Sequence, residues 1–190
     1  MKKKNCEEDS EAYISFEPPT IMIHGVIDFS TSISVAKNIG DFLEDPSLTD
    51  KIRKKDRPSI IVDINCLGGF LEPTISIIST LRSCGVPIMT NVTGVAYSAA
   101  AVLALAGDVR KITKIGSIMF HHPKQGNDEE ELRRVKHSAG KGQEHVIRVM
   151  TSLLKDTNIS YKDYCKKVDD NEWFLSPKEA KGCGIVHEIY

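Results

Sequence analysis

The segment VPIMTNVTGVAYSAAAVLALA, residues 86–106, carries the pattern that decides the fold. Its first seven residues are rich in β-branched and apolar side chains, which predicts a buried strand over 86–92. Gly94 marks a turn, and the apolar run from Ala99 to Ala106 predicts a buried helix. That run is too short to cross a bilayer, which needs about 20 apolar residues. A buried strand that leads into a buried helix is typical of α/β proteins.

Ser98 lies at the start of this predicted helix, among alanines. Free backbone N–H groups and the positive end of the helix dipole converge there and can stabilise an oxyanion. The position therefore suits a nucleophile. Because serine also caps helices and packs into tight turns, the segment alone leaves a structural role open as well.

The alternation of strand and helix continues on both sides of this segment. Predicted strands cover 20–27, 58–65, 112–115 and 117–120. A first helix, capped by the hydroxyls at 30–32, is expected to turn one apolar face to the core, and a second follows the next strand. The apolar positions are Ile33, Ala36, Ile39, Phe42 and Leu43 in the first helix and Ile75, Ile77, Ile78 and Leu81 in the second. This order predicts an α/β fold with right-handed crossovers.

The chain length of 190 residues fits one domain. We expect a single domain over 18–190, preceded by a flexible charged arm over 1–17, with a polar surface loop over 44–57. From 124 to about 143 the sequence is strongly polar, and it then becomes amphipathic up to 154. A long helix of this kind is either an exposed surface helix or an oligomerisation arm that projects from the domain.

Composition excludes several classes of partner. The chain is 41% hydrophobic and 27% charged, as in ordinary soluble proteins, and its net charge of −1 gives no reason to expect nucleic acid. No apolar segment follows the lysines at 2–4, so we expect neither a signal peptide nor a membrane partner. The five cysteines are scattered without a C-x-x-C pair, which predicts reduced thiols in a cytoplasm, no metal site and no cofactor.

Four segments follow predicted strands and could share one site: 65–69, 94–98, 120–123 and 169–172. His121 could take the proton of Ser98, and an acid from 169–172 would then orient the imidazole. Since neighbouring residues of a strand point in opposite directions, at most one of His121 and His122 can meet Ser98. Each segment also has an ordinary explanation as a turn, a strand-end histidine or a solvated acidic cluster.

Four motifs in one order resemble the Clp protease proteolytic subunit (ClpP) family of the ClpP/crotonase superfamily, and the resemblance runs from about Thr20 to the C-terminus. INCLGG at 64–69 is similar to I-N-S-P-G-G, and GVAYSAAA at 94–101 is similar to the nucleophile turn G-x-A-x-S-M/A-x-A. IMFHHP at 118–123 is similar to M-I-H-Q-P. FLSPKEA at 174–180, followed by GIV at 184–186, is similar to F-L-S-x-x-E-A and its G-L-V ending.

The resemblance implies a serine endopeptidase with the spiral of β-β-α units found in that superfamily. It implies that Ser98 is the nucleophile, that His121 is the general base and that the N–H groups of Gly69 and Ala99 form the oxyanion hole. The acid corresponds to Glu172, with Asp170 or Asp169 as alternatives. No metal or cofactor is implied.

The resemblance also implies an assembly. The segment at about 124–154 would be the family's handle, and the chain would form a homo-oligomer, a heptameric ring present once or as a double ring. Polypeptides would be its substrates, and a Clp-type ATPase would be its partner.

The sequence departs from the family pattern at several of these positions. Glu172 stands where the family has aspartate, and Asn171 replaces an arginine linked to contact between rings. Cys66 and Leu67 replace Ser-Pro before the two glycines, His122 replaces glutamine, and residues 1–17 lack the family's axial-loop sequence. Two alternatives therefore stay open: a catalytically impaired ring subunit, and a crotonase-type acyl-CoA enzyme on the same fold.

Overall fold

The computed structural model describes residues 18–44, 58–122, 144–169 and 172–190. Its strands are β1 Thr20–Ile27, β2 Ile60–Gly69, β3 Ile88–Tyr97, β4 Val109–Ile112, β5 Ser117–Phe120, β6 Trp173–Leu175 and β7 Glu188–Ile189. Its helices are α1 Phe29–Leu43, α2 Leu71–Ser83, α3 Ala99–Ala104, α4 at 144–154, α5 Tyr161–Asp169 and α6 Pro177–Gly182.

The strands form one largely parallel sheet in the order β1-β2-β3-β4-β7, and β3 divides between two neighbours. Its first half pairs with β4 from Met89 to Val92, and its second half pairs with β5 from Val95 to Tyr97. The last strand of this branch, β6, runs antiparallel to β5. Parallel pairing of strands joined through helices confirms the predicted α/β class.

The core forms where the sequence is most apolar. Every residue from Ala99 to Ala106 is buried, as the alanine-rich run predicts. The amphipathic part of the predicted handle forms α4, which buries Met150, Leu153 and Leu154 in the same core. The rest of that handle, together with the predicted arm at 1–17 and most of the loop at 44–57, lies outside the described residues.

The prediction for α1 is wrong in its cap and only partly right in its buried face. Asp28 caps the helix, since its carboxylate accepts from the backbone N–H of Thr31 at 2.9 Å and the Thr31 hydroxyl closes the capping box. Of the predicted positions, Ile39 is buried and Phe42 and Leu43 pack against the core. Ser32 and Val35 complete the buried face, whereas Ile33 is 69% exposed. The helix carries apolar residues on two sides, so their spacing alone could not identify the inward one.

Two strand predictions also need correction. The strand predicted at 112–115 ends at Ile112, because Thr113 accepts a turn hydrogen bond from the N–H of Gly116 at 3.1 Å. In β2 and β3 the strands run further than predicted, to Gly69 and Tyr97. The pair of glycines is therefore the paired end of a strand, with Gly69 opposite Ile27.

Arg110, in β4, links the sheet to the C-terminal segment through hydrogen bonds. Its side chain is 2% exposed, and the guanidinium donates to the backbone carbonyls of Gly107, Asp156, Gly184 and Ile185. A buried charge is tolerated when it is hydrogen-bonded, and four of the five N–H donors are paired here.

We expect Arg110→Met to lower the free energy of unfolding by about 2–4 kcal/mol, because four backbone carbonyls lose a donor and two of these hydrogen bonds are buried. Lys111→Met is the matched control on the same strand. It removes a 2.8 Å ion pair with the exposed Glu188, which should contribute less than about 1 kcal/mol. Urea unfolding of both variants checks the prediction, and equal losses would contradict it.

Candidate active site

Ser98 stands in a strained turn between β3 and α3. Its backbone has φ 55° and ψ −123°, and among the described residues it is the one non-glycine with positive φ. The turn is fixed on both sides, since the Ser98 N–H donates to the Met119 carbonyl at 2.8 Å and the Ser98 carbonyl accepts from Ala101 and Val102. The Ser98 hydroxyl forms no capping bond. A strained position persists only when its surroundings hold it.

The end of β2 packs directly against this turn. A Cβ atom on Gly68 would lie 2.8 Å from the Tyr97 carbonyl oxygen, 2.9 Å from Ser98 Cβ and 3.3 Å from the Ala99 nitrogen. A Cβ atom on Gly69 would lie 2.2 Å from the Ile27 carbonyl oxygen. Both positions therefore need glycine for reasons of space. The backbone of Gly68 therefore lies directly against the Ser98–Ala99 peptide, and Gly69 lies against Ile27.

His121 follows β5, and the pairing of β5 with β3 places it near Ser98. Tyr97 pairs with Met119, so the same register sets Ser98 beside Phe120, one residue before His121. Adjacent strands lie about 4.8 Å apart. His121 is half-buried. In the part of the chain that the structure describes, no hydrogen bond joins the Ser98 hydroxyl to His121.

Two of the predicted acidic residues, Asp169 and Glu172, come just before β6, a strand that runs antiparallel to β5. We expected this acidic segment to follow a strand, but Asp169 ends α5 and Glu172 immediately precedes β6. Because β6 is antiparallel to β5, with Trp173 opposite Phe120, one more step of this register puts Glu172 opposite His121. Glu172 is exposed. Asp170 and Asn171 lie outside the described residues.

In this region, the imidazole of His122 forms a close contact with a carboxylate. Its Nε2 atom lies 2.6 Å from Oδ1 of Asp169, and both side chains are exposed. The sequence did not predict this pair, although strand alternation predicted that His121 and His122 diverge. No local sequence signal marks this pair, because the contact depends on how α5 packs beside the end of β5.

Within residues 18–44, 58–122, 144–169 and 172–190, no group of three His, Cys, Asp or Glu side chains is arranged to hold a metal ion. Over the same ranges, no helix is both long and apolar enough to cross a membrane.

A family model of the Clp protease matches residues 47–190, and the chain belongs to the Clp protease family. The proteolytic subunit 3 of the ATP-dependent Clp protease from Parasynechococcus marenigrum is 27% identical over 135 residues, which cover 68% of this chain and 66% of that protein. The proteolytic subunit of the ATP-dependent Clp protease from Deinococcus radiodurans is 26% identical over 135 residues, or 66% of this chain and 62% of the relative. The chain thus spans just under two thirds of these relatives.

The fold has a relative of known structure. A mutant of ClpP1 from Listeria monocytogenes superposes with a TM-score of 0.69 at 25% identity, over 90% of each chain. This similarity confirms the ClpP-like fold that the four motifs imply. It also confirms the resemblance to a divergent member of the family.

We expect Gly68→Ala to lower the free energy of unfolding by about 2–4 kcal/mol, because its Cβ would overlap the Ser98 turn and the residue has φ 112°. Gly182→Ala is the matched control, since a Cβ there meets nothing within 4 Å. In α6 that change should be neutral or stabilising by up to about 1 kcal/mol. Urea unfolding of the two variants measures the difference. A Gly68→Ala protein as stable as the control would contradict the close approach.

Proposed function

We propose that the chain is a serine endopeptidase that hydrolyses peptide bonds within a self-compartmentalised oligomer. The observation that carries this proposal is the strained backbone of Ser98, at φ 55° and ψ −123° between a strand and a short helix. A sharp turn of this kind presents a serine hydroxyl beyond the end of the sheet, as in other serine hydrolases. Membership of the Clp protease family supports the same chemistry.

In the proposed reaction, Ser98 Oγ attacks the carbonyl carbon of the scissile peptide while His121 takes the hydroxyl proton. The carbonyl oxygen gains negative charge and accepts hydrogen bonds from the N–H groups of Gly69 and Ala99. His121 then gives the proton to the leaving amine, which breaks the C–N bond and leaves an acyl group on Ser98. Water, deprotonated by His121, attacks this ester; the bond to Ser98 Oγ breaks, His121 returns the proton to Oγ, and the new carboxyl end is released.

We assign the orienting acid to Glu172. The β5–β6 register supports this choice, because residues directly opposite on antiparallel strands have Cβ atoms about 4.5–5.5 Å apart. At that separation a glutamate can reach the imidazole of His121 and stabilise the imidazolium formed during acylation. Asp170 remains the alternative acid.

We further propose that the chain assembles with copies of itself into a heptameric ring, single or double, and receives polypeptides from a Clp-type ATPase. The names of the relatives, which describe proteolytic subunits of ATP-dependent proteases, support this role. The surface of the edge strand β1 and of α1 supports assembly as well. Met22, Val26, Phe29 and Ile33 are each 65–69% exposed, and exposed apolar side chains of this size favour burial against a partner.

A second candidate function is a ring subunit without catalysis. One observation favours it: the 2.6 Å imidazole–carboxylate contact belongs to His122 and Asp169, whereas no hydrogen bond among the described residues joins the His121 imidazole to the Ser98 hydroxyl. The two candidates share the fold and the assembly. They differ in whether Ser98 can be acylated.

We expect Ser98→Ala to abolish hydrolysis of fluorogenic peptides and covalent labelling by a fluorophosphonate, because the attacking oxygen is removed. Ser83→Ala is the control, since the Ser83 hydroxyl donates only to Thr80 at the end of α2. Size measurement by light scattering on the same samples reports assembly. Labelling that survives in Ser98→Ala would place the nucleophile elsewhere, and wild-type rings that neither cleave nor label would favour the second candidate.

The proposed pair of His121 with Glu172 and the observed pair of His122 with Asp169 lead to opposite predictions for catalysis. We expect His121→Ala to lower kcat at least about 10³-fold and Glu172→Gln to lower it about 10²–10⁴-fold, since general-base and orienting roles have losses of this order. His122→Ala and Asp169→Asn serve as controls and should stay within about fivefold of wild type. Steady-state kinetics on a peptide substrate measures all four variants. If the losses fall on His122 and Asp169 instead, the assignment of the base is wrong.

A further inference from the structure

The thiol of Cys66 binds backbone groups on both sides of it. Cys66 is 2% exposed, and its Sγ atom lies 2.8 Å from the carbonyl oxygen of Gly25. The backbone N–H of Gly68 donates to the same sulfur at 3.2 Å, and the Gly68 carbonyl lies 3.4 Å away. A thiol has one proton to donate and can accept weakly. The Cys66 thiol can therefore donate to the Gly25 carbonyl and accept from the Gly68 N–H at the same time.

These bonds occur where both ladders of β2 are irregular. Between β1 and β2, His24 pairs with Asn65, and the next pair is Val26 with Gly68. The single residue Gly25 of β1 therefore lies opposite two residues of β2. Between β2 and β3, Ile64 pairs with Val92 and Cys66 pairs with Ala96, so the register shifts here as well. Irregularities of this kind leave backbone groups without ladder partners and redirect the strand. The sulfur supplies a partner for the Gly25 carbonyl and the Gly68 N–H at this point.

Gly68 is also the residue whose backbone touches the Ser98 turn. Its Cα position allows no Cβ, because Tyr97, Ser98 and Ala99 lie within 2.8–3.3 Å of where that atom would be. The next residue, Gly69, donates the amide that the proposed mechanism places in the oxyanion hole. A shift of the Gly68 peptide would therefore move this amide relative to the amide of Ala99.

We propose that Cys66 is a positioning residue for the oxyanion hole: its thiol, bound between Gly25 and Gly68, sets the peptide of the glycine pair against the Ser98 turn. This inference rests on the proposed function. Cys66 is not a second nucleophile, because burial raises the pKa of its thiol and keeps it protonated. Misplacement of a catalytic group by about 1 Å can lower a rate about 10²-fold, so the effect on turnover should be large.

The test compares Cys66→Ala, which removes both hydrogen bonds, with Cys66→Ser, which retains a donor and an acceptor. In the full chain we expect Cys66→Ala to lower kcat about 10- to 100-fold with KM within about twofold of wild type. Cys66→Ser should recover to within about threefold of wild type. Cys84→Ala is the matched control, since the Cys84 thiol donates to Leu81 at 2.9 Å at the end of α2, and its kcat should not change.

A second measurement separates positioning from general loss of structure. A peptide boronate forms a tetrahedral adduct with a nucleophilic serine, whereas the matching peptide amide binds only as a ground-state ligand. Cys66→Ala should weaken the boronate about as much as it lowers kcat and leave the affinity for the amide unchanged. If the alanine variant does not fold, Cys66→Val, which fills the site without a hydrogen-bonding group, is measured in its place with the same expectation.

The outcomes are distinguishable. An active wild type with an unchanged kcat in Cys66→Ala would overturn this inference and leave the proposed function standing. Equal losses for boronate and amide, or a Cys66→Ser protein as impaired as Cys66→Ala, would also overturn it. A wild-type protein that neither cleaves peptides nor reacts with the boronate or a fluorophosphonate would contradict the proposed function, and this inference with it.

Discussion

The contact between the Gly68 backbone and the Ser98 turn constrains both ends of the candidate site. A side chain at position 68 would have to occupy the space of the Tyr97 carbonyl and of Ser98 Cβ, so the two strands can approach this closely only at a glycine. The approach in turn requires β2 to leave its regular register with β1 and with β3. Packing and strand geometry are therefore linked here. The strain at Ser98 is compensated by three hydrogen bonds: the Ser98 N–H donates to the Met119 carbonyl in β5, and the Ser98 carbonyl accepts from Ala101 and Val102 in α3.

The division of β3 between two partners explains how distant parts of the chain meet at one edge. Its second half leaves β4 and pairs with β5, which brings His121 to the end of β3 where Ser98 stands. The antiparallel strand β6 then delivers an acidic segment to the same edge from the other direction. In a parallel sheet, a residue that precedes one strand and a residue that follows the neighbouring strand lie at opposite ends of the strands. Glu172 would then lie far from His121. The antiparallel strand is what allows a carboxylate before β6 to join a site formed after β3 and β5.

The sequence predicted the class of fold and the segments of the candidate site because both depend on local patterns. A β-branched run followed by Gly94 and the alanines after Ser98 marks a strand and a helix within 21 residues. It could not predict the buried face of α1, where Ile33 and Val35 both suit a core by composition and only tertiary packing selects Val35. Nor could it predict the contact between His122 and Asp169, which depends on the relative placement of α5 and β5. Nor did the spacing of cysteines indicate that Cys66 binds Gly25, 41 residues earlier in the chain.

The length of the acidic side chain at position 172 has a geometric consequence. If the register of β5 and β6 continues one step beyond Phe120 and Trp173, a glutamate at position 172 must place an additional methylene between the two backbones. It can do so by bending toward solvent, and Glu172 is exposed. A carboxylate near water is more strongly screened than a buried one, so it orients an imidazole with a smaller electrostatic contribution. In the proposed assembly, exclusion of water from Glu172 by an adjoining subunit would strengthen that contribution, so the activity of the proposed triad would depend on assembly.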